Sequence, residues 1–160
     1  MVRDSAQVWG LNPKNVGIMG SSAGGHLAST VATHADSLSR PNFQILFYPV
    51  ITTGEGRHDN SIINLLGKDK DNANVLKLYS NDYQVKEKVT PPALILLAND
   101  GAGVPPLQNG VAYYQALSRN KVPVGLYVYP SGKHGFGFNK TFAYHDQLLK
   151  DIETWLTNLK

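Results

Sequence analysis

Four short apolar runs, each bounded by proline or by a turn, alternate with longer segments of helical periodicity in this chain. The runs occupy positions 16–19, 44–48, 93–97 and 124–129. Short and continuously apolar runs are typical of parallel strands that are buried on both faces. Strands that alternate with helices predict βαβ units with right-handed crossovers. The sequence therefore predicts an α/β fold with about four parallel strands and flanking helices.

The segments between the runs supply the helices. A helix is predicted over 23–33, and a C-terminal amphipathic helix over 148–159. A third follows the 93–97 strand, where one face carries Leu107, Val111, Tyr114 and Leu117. The stretch 51–90 is polar and rich in turns apart from short helical pieces, and so long a connection in a compact domain is usually functional. Without internal repeats or linkers, residues 1–160 are expected to form one domain.

Composition excludes several classes of protein. The 160 residues carry a net charge of +3 with scattered basic side chains, which does not predict a nucleic-acid surface. The chain has no cysteine, so disulfides, thiolate metal sites and a cysteine nucleophile are excluded. No apolar run approaches the roughly 20 residues that span a bilayer. Met1 leads into a polar stretch with no apolar leader, which makes the cytoplasm the default expectation.

The segment Gly20-Ser21-Ser22-Ala23-Gly24 lies between the first strand and the first helix. A Gly-x-Ser-x-Gly pattern there is either an ordinary glycine-rich turn or a nucleophile elbow, which holds a serine in a strained turn. We favour the elbow with Ser22 as nucleophile, since the glycines centre on it rather than on Ser21. Gly20 and Gly24 are expected to be glycines because a side chain would collide there. The N–H of Ala23 is expected to face a developing oxyanion.

A serine hydroxyl needs a base within hydrogen-bond reach. His134 is the favoured base, because it lies in a glycine-rich loop just after the last strand. The carboxyl ends of parallel strands share one rim, so this histidine is expected to meet Ser22. The other histidines are expected to be structural: His26 and His34 on the first helix, His58 in the long connection and His145 in the last helix.

The imidazole of such a pair is ordinarily oriented by a carboxylate. Asp100 is the favoured acid because it follows the third strand, whereas Glu55 and Asp59 follow the second. A Ser–His–Asp arrangement implies no metal and no organic cofactor.

These pieces resemble the C-terminal half of an α/β-hydrolase of the acetyl-xylan-esterase-like, carbohydrate-esterase group. The resemblance implies the C-terminal half of that fold and a serine-dependent hydrolase of short acyl esters, chiefly acetyl, on carbohydrates. It implies a carbohydrate ester as the partner, with neither nucleic acid nor membrane. A peptidase of the prolyl-oligopeptidase type is a related alternative, because it shares the elbow and the histidine loop. The matching pieces are 9–13, 20–28, 47–50, 61–67, 122–124 and 132–137.

The sequence departs from this group in two ways. It lacks the N-terminal strands and the His-Gly-Gly loop that donates part of the oxyanion hole. The group's Asp-x-x-Val-Pro pattern places the acid at Gly101, one position after Asp100. A catalytically impaired fragment, or a half-domain that needs a partner, is therefore an alternative. The unpaired edge of the strand at 16–19 is expected to favour self-association.

Overall fold

The computed structural model describes residues 2–159. The strands are β1 (Gly17–Ser21), β2 (Phe43–Phe47), β3 (Ala93–Ala98) and β4 (Val124–Tyr129). The α-helices are α1 (Ala23–His34), α2 (Asp59–Leu66), α3 (Ala73–Tyr79), α4 (Ala112–Arg119) and α5 (His145–Thr157).

The four strands form one sheet in the order β1-β2-β3-β4, and every neighbouring pair is parallel. The predicted α/β fold with four parallel strands is thus confirmed. Ser21 pairs with Phe47, and Phe47 pairs with Leu96, so the carboxyl ends of the first three strands lie side by side. Since β1 lies at one end of this order, one of its edges has no strand partner among residues 2–159.

The core lies around β3, whose six residues are all buried. Tyr113 and Leu117 of α4 and Leu148 of α5 are fully buried against this sheet. Gln44 of β2 is polar and fully buried, and burying its amide is costly unless the amide is hydrogen-bonded. Its Nε2 donates to the carbonyl of Pro91 (3.2 Å), and its Oε1 accepts from the Tyr113 hydroxyl (3.3 Å). The buried amide is therefore satisfied.

The long stretch 51–90 folds into α2, α3 and short 3₁₀ turns rather than a loose loop. Polar side chains begin its helices: Asn72 accepts from two N–H groups at the start of α3. Asn81 is fully buried and donates to Ser29 Oγ (2.7 Å) and to the carbonyl of His26 (3.2 Å), both on α1. This amide therefore attaches the long connection to the helix that follows β1.

The helix predicted from Leu107 starts as a π-helical turn, Leu107–Val111, which continues into α4. The buried Asn109 side chain in this turn accepts from the N–H groups of Ile51 (2.9 Å) and Thr52 (3.3 Å). Its amide donates to the carbonyls of Gly56 (3.0 Å) and Pro105 (3.1 Å). One amide thus joins the segments after β2 and β3. Within residues 2–159, no helix combines the length and apolar character needed to cross a membrane.

Candidate active site

Ser22 lies directly after β1 in a strained backbone conformation, with φ 54° and ψ −122°. A positive φ is uncommon outside glycine, and such strain persists only where the surroundings over-determine it. Here the N–H of Ser22 donates to the carbonyl of Phe47 (3.0 Å), and its carbonyl accepts from Val50 (3.0 Å) and His26 (3.1 Å). These bonds to two neighbouring elements hold the serine in the geometry of a nucleophile elbow.

The Ser22 hydroxyl lies 2.8 Å from Nε2 of His134, although 112 residues separate the two in sequence. A serine at a helix N-terminus usually uses its oxygen to cap the helix. Ser22 makes no such bond to α1. Its hydroxyl is directed to the imidazole instead, and the pair is thus placed for proton transfer from serine to histidine.

The histidine loop, residues 130–137, follows β4 and turns sharply several times. Three of its glycines and one lysine have positive φ: Gly132 (158°), Lys133 (56°), Gly135 (100°) and Gly137 (43°). A Cβ at Gly132 would lie 2.6 Å from the ring of Phe142, so only glycine fits where the loop leaves β4. This backbone path places His134 back over the sheet rim.

The pKa of His134 is lowered from its ordinary value, chiefly by burial and then by the charge of His58. Both causes disfavour the protonated imidazole. His134 is therefore held in the neutral form that accepts a proton from a serine. His58 also begins α2, where its Nδ1 accepts from the N–H of Ser61 (3.3 Å). The expectation that His58 is purely structural thus omitted its electrostatic effect on His134.

Tyr48 belongs to the site, although the sequence pattern predicted only a strand at this position. Its backbone has a φ of 34°, and its ring centroid lies 4.7 Å from that of His134 and 4.8 Å from that of Phe136. Burial raises the pKa of its hydroxyl, while interactions with Ser21 and with the backbone of Gly137 act in the opposite direction. The sequence signals for this position were an aromatic residue between a strand end and Pro49, and its place in the family-like segment 47–50.

Asp100 lies at the histidine loop, and its carboxylate bonds to the backbone of that loop rather than to the imidazole of His134. Its Oδ1 accepts from the N–H groups of Gly132 (2.9 Å) and Lys133 (2.7 Å). Nδ1 of His134 is buried and has no hydrogen-bond partner among residues 2–159. The structure therefore brings Ser22 and His134 together and places Asp100 beside them, without the carboxylate–imidazole contact of a catalytic triad.

The two alternative acids are also not bonded to His134 within the described residues. Glu55 is exposed. Asp59 forms an ion pair with Arg57, whose Nε lies 2.7 Å from its Oδ1.

The steric prediction for the elbow glycines is right for Gly20 and wrong for Gly24. A Cβ at Gly20 would lie 2.1 Å from the carbonyl oxygen of Gly24. This oxygen belongs to the backbone and cannot move aside, so only glycine fits at position 20. A Cβ at Gly24 would meet nothing within 4 Å. Gly25 is the constrained neighbour, since its Cβ would lie 2.7 Å from Cβ of Pro49. The helical rotation of α1 turns position 25, rather than 24, toward the segment after β2.

Ala23 is the first residue of α1, and the N–H groups of a first helical turn have no partner within their own helix. They carry partial positive charge at a helix N-terminus, which suits an oxyanion beside Ser22. A largely apolar groove of about 410 Å³ runs from Ala23 between the helices α1 and α2. It is lined by Ala23, His26, Leu27, Thr30, Ser61, Ile62, Leu65 and Tyr79.

The imidazoles of His26, His34 and His145 bond to groups other than Ser22. Nε2 of His26 lies 2.8 Å from the carbonyl of Tyr79, and Nε2 of His34 lies 3.0 Å from that of Leu78. His145 pairs with Asp146 at the start of α5 (3.1 Å). In the part of the chain that the structure describes, no group of three or more His, Cys, Asp or Glu side chains is arranged to hold a metal ion.

Known proteins are similar in sequence and in fold over nearly all of this chain. The chain is 50% identical to an acetylxylan esterase of Xylanibacter ruminicola, over 99% of this chain and 34% of that protein. An acetyl ester-xyloside bifunctional hydrolase from Caldicellulosiruptor lactoaceticus superposes with a TM-score of 0.89 at 32% identity, covering 98% of this chain and 61% of that one. A sugar hydrolase from Lactococcus lactis gives a TM-score of 0.75 at 27% identity, covering 99% and 66%.

The chain thus spans about a third of the length of that acetylxylan esterase. The sequence model described as alpha/beta hydrolase fold matches residues 1–138, from ahead of the elbow to beyond His134. Because this match includes the parallel sheet, the strained serine and the histidine loop, the chain belongs to the alpha/beta hydrolase fold family.

Proposed function

We propose that this chain carries the nucleophile and the base of a serine-dependent carboxylic ester hydrolase, which removes short acyl groups, chiefly acetyl, from carbohydrates. The observation that supports it most is the 2.8 Å contact between Ser22 Oγ and His134 Nε2 at a strained elbow. The acetylxylan esterase at 50% identity supports the acyl group and the carbohydrate. The peptidase alternative is not favoured, because the similar proteins are named as esterases and sugar hydrolases.

Each residue of the pair has a defined role in this reaction. Ser22 Oγ attacks the ester carbonyl while Nε2 of His134 accepts its proton. The carbonyl oxygen becomes an oxyanion, which the N–H of Ala23 stabilises at the helix N-terminus. The imidazolium then donates its proton to the departing sugar oxygen as the ester C–O bond breaks, so the sugar leaves with a free hydroxyl and an acylated serine remains. Water then attacks the acyl carbon while the same imidazole accepts its proton. The imidazolium finally protonates Ser22 Oγ as its bond to the acyl carbon breaks, which releases the carboxylic acid and restores Ser22.

The turnover of such an ester hydrolase depends on a second oxyanion donor beside the N–H of Ala23, because each donor contributes a factor of about 10²–10³ to turnover. The unpaired edge of β1 is where a further strand would join the sheet beside the nucleophile. We therefore also propose that the chain self-associates through β1, so that a second copy of the chain covers this edge. The alternative of a catalytically impaired chain is not favoured by the similar proteins, which are named as esterases and hydrolases.

Hydrolysis of p-nitrophenyl acetate and of acetylated xylo-oligosaccharides tests the proposal. The chain should release acetate from both, and Ser22→Ala should abolish the release. Ser118→Ala, an exposed serine on α4, is the matched control and should retain the full rate. Labelling with a fluorophosphonate, followed by mass spectrometry of the peptide, should place the adduct on Ser22 rather than Ser21. Equal rates for the unmodified chain and Ser22→Ala would refute the esterase and favour the impaired chain.

A further inference from the structure

The histidine loop adopts a conformation that its own sequence does not favour. Lys133 has a φ of 56°, and a residue with a side chain pays about 1–2 kcal/mol in this region. The neighbouring Gly132 has a φ of 158° and cannot carry a side chain, because its Cβ would meet the ring of Phe142. The surroundings of the loop must therefore hold it in place.

Two successive N–H groups of this loop, those of Gly132 and Lys133, converge on Oδ1 of Asp100 at 2.9 and 2.7 Å. Successive N–H groups at a turn form a concavity that binds an anion, and bonds to a carboxylate are stronger than neutral ones. The backbone before Asp100 is itself fixed, since the N–H of Asn99 donates to the carbonyl of Tyr129 (2.9 Å). Asp100 thus connects the end of the β3–β4 pair to the residue just before His134.

Neither the hydrogen bonds nor the pKa of the His134 imidazole indicate an interaction with the Asp100 carboxylate. Its buried Nδ1 has no hydrogen-bond partner among the described residues. A carboxylate bonded to a histidine raises the histidine's pKa. The pKa of His134 is instead lowered, by burial and by His58.

We propose that Asp100 is a positioning residue, whose carboxylate holds the Gly132–Lys133 backbone and thereby places Nε2 of His134 against Ser22, without contacting the imidazole. The inference rests on the proposed function for its consequence on turnover. It assigns Asp100 a structural task in the loop in place of the acid of a triad.

Asparagine distinguishes the two roles, because its side-chain oxygen can accept the same two N–H bonds without a charge. For a loop anchor, Asp100→Asn should keep kcat within about tenfold, since it loses only charge assistance, whereas Asp100→Ala should lower kcat much further at similar KM. For a triad acid, Asp100→Asn should lower kcat by about 10⁴. Asp69→Asn, an exposed aspartate in a 3₁₀ turn, is the matched control.

Two measurements decide the role without relying on turnover. Asp100→Ala should speed hydrogen exchange at the amides of Gly132 and Lys133, and Asp100→Asn should not. The pKa of His134, followed by NMR, should stay within about half a unit in Asp100→Asn, whereas loss of a bonded carboxylate should lower it by about a unit or more. Unchanged exchange in Asp100→Ala, or a fall of that size in Asp100→Asn, would overturn the inference. An inactive parent chain would count only against the proposed function.

Discussion

The phenol ring of Tyr48 packs edge-on against the imidazole of His134, with ring centroids 4.7 Å apart and ring planes at 62°. Because Nδ1 of His134 has no hydrogen-bond partner among residues 2–159, this contact and the bond to Ser22 orient the imidazole. The strained backbone of Tyr48, with a φ of 34°, is held by its N–H bond to the carbonyl of Leu96 (2.8 Å). The ring that orients the base is therefore fixed by the centre of the sheet.

Replacing Tyr48 tests the importance of this ring. Edge-on aromatic pairs contribute about 0.5–1.5 kcal/mol, so Tyr48→Leu should lower kcat by about 2–10-fold through poorer orientation of His134. Tyr48→Phe keeps the ring and should keep kcat. Steady-state kinetics with p-nitrophenyl acetate measures both. A kcat for Tyr48→Leu equal to that of the parent chain would show that the ring does not orient the base.

The acid limb of the pH–rate profile should report on His134. The neutral imidazole is the active base, so the rate should rise with pH through a pKa below the ordinary 6.5, as burial and His58 dictate. His58→Asn removes an imidazole whose protonated form repels the His134 imidazolium, so the pKa of His134 should rise and the limb should move to higher pH. Asparagine remains a good N-cap residue at position 58, directly before α2.

The control for this profile is His145→Asn, which changes a histidine at the start of α5 that pairs with Asp146. Its profile should coincide with that of the parent chain. An acid limb that stays in place in His58→Asn would exclude His58 as an electrostatic neighbour of the base.

Two adjacent glycines should respond oppositely to the same substitution. Gly25→Ala places a Cβ 2.7 Å from Cβ of Pro49, so it should lower the free energy of unfolding by about 1–3 kcal/mol. Gly24→Ala meets nothing within 4 Å, and it should raise the free energy of unfolding by about 0.5–1 kcal/mol because alanine favours the helix. Urea denaturation measures both values. Equal destabilisation by the two substitutions would contradict the packing of α1 on this segment.

The free edge of β1 predicts a concentration-dependent association. Met19 is 54% exposed in this strand, and a lysine there should discourage strand pairing without disturbing the core. Sedimentation should show oligomers for the parent chain and a shift toward monomer for Met19→Lys. Leu107→Lys changes a 70% exposed leucine in the turn after β3 and should leave the oligomers intact. A compact monomer of the parent chain at all concentrations would refute self-association.

Much of the fold could be predicted because its signals are local. Continuous apolar runs between prolines predicted the four parallel strands, and the structure confirms them. The candidate site was harder to predict, because the strand pattern determines the positions of only some of its residues. Ser22 and His134 follow strands of one parallel sheet, so the common rim alone brings them within reach of each other.

The sequence by itself therefore determined the parallel sheet and the meeting of a serine with a histidine. Only the tertiary structure decided what Asp100 bonds, that Tyr48 packs on His134, and that Gly25 rather than Gly24 must lack a side chain. The physical reason is scale. Strands and helices are determined by patterns many residues long, whereas a hydrogen bond or a Cβ contact changes with shifts of about an ångström in the approach of two loops.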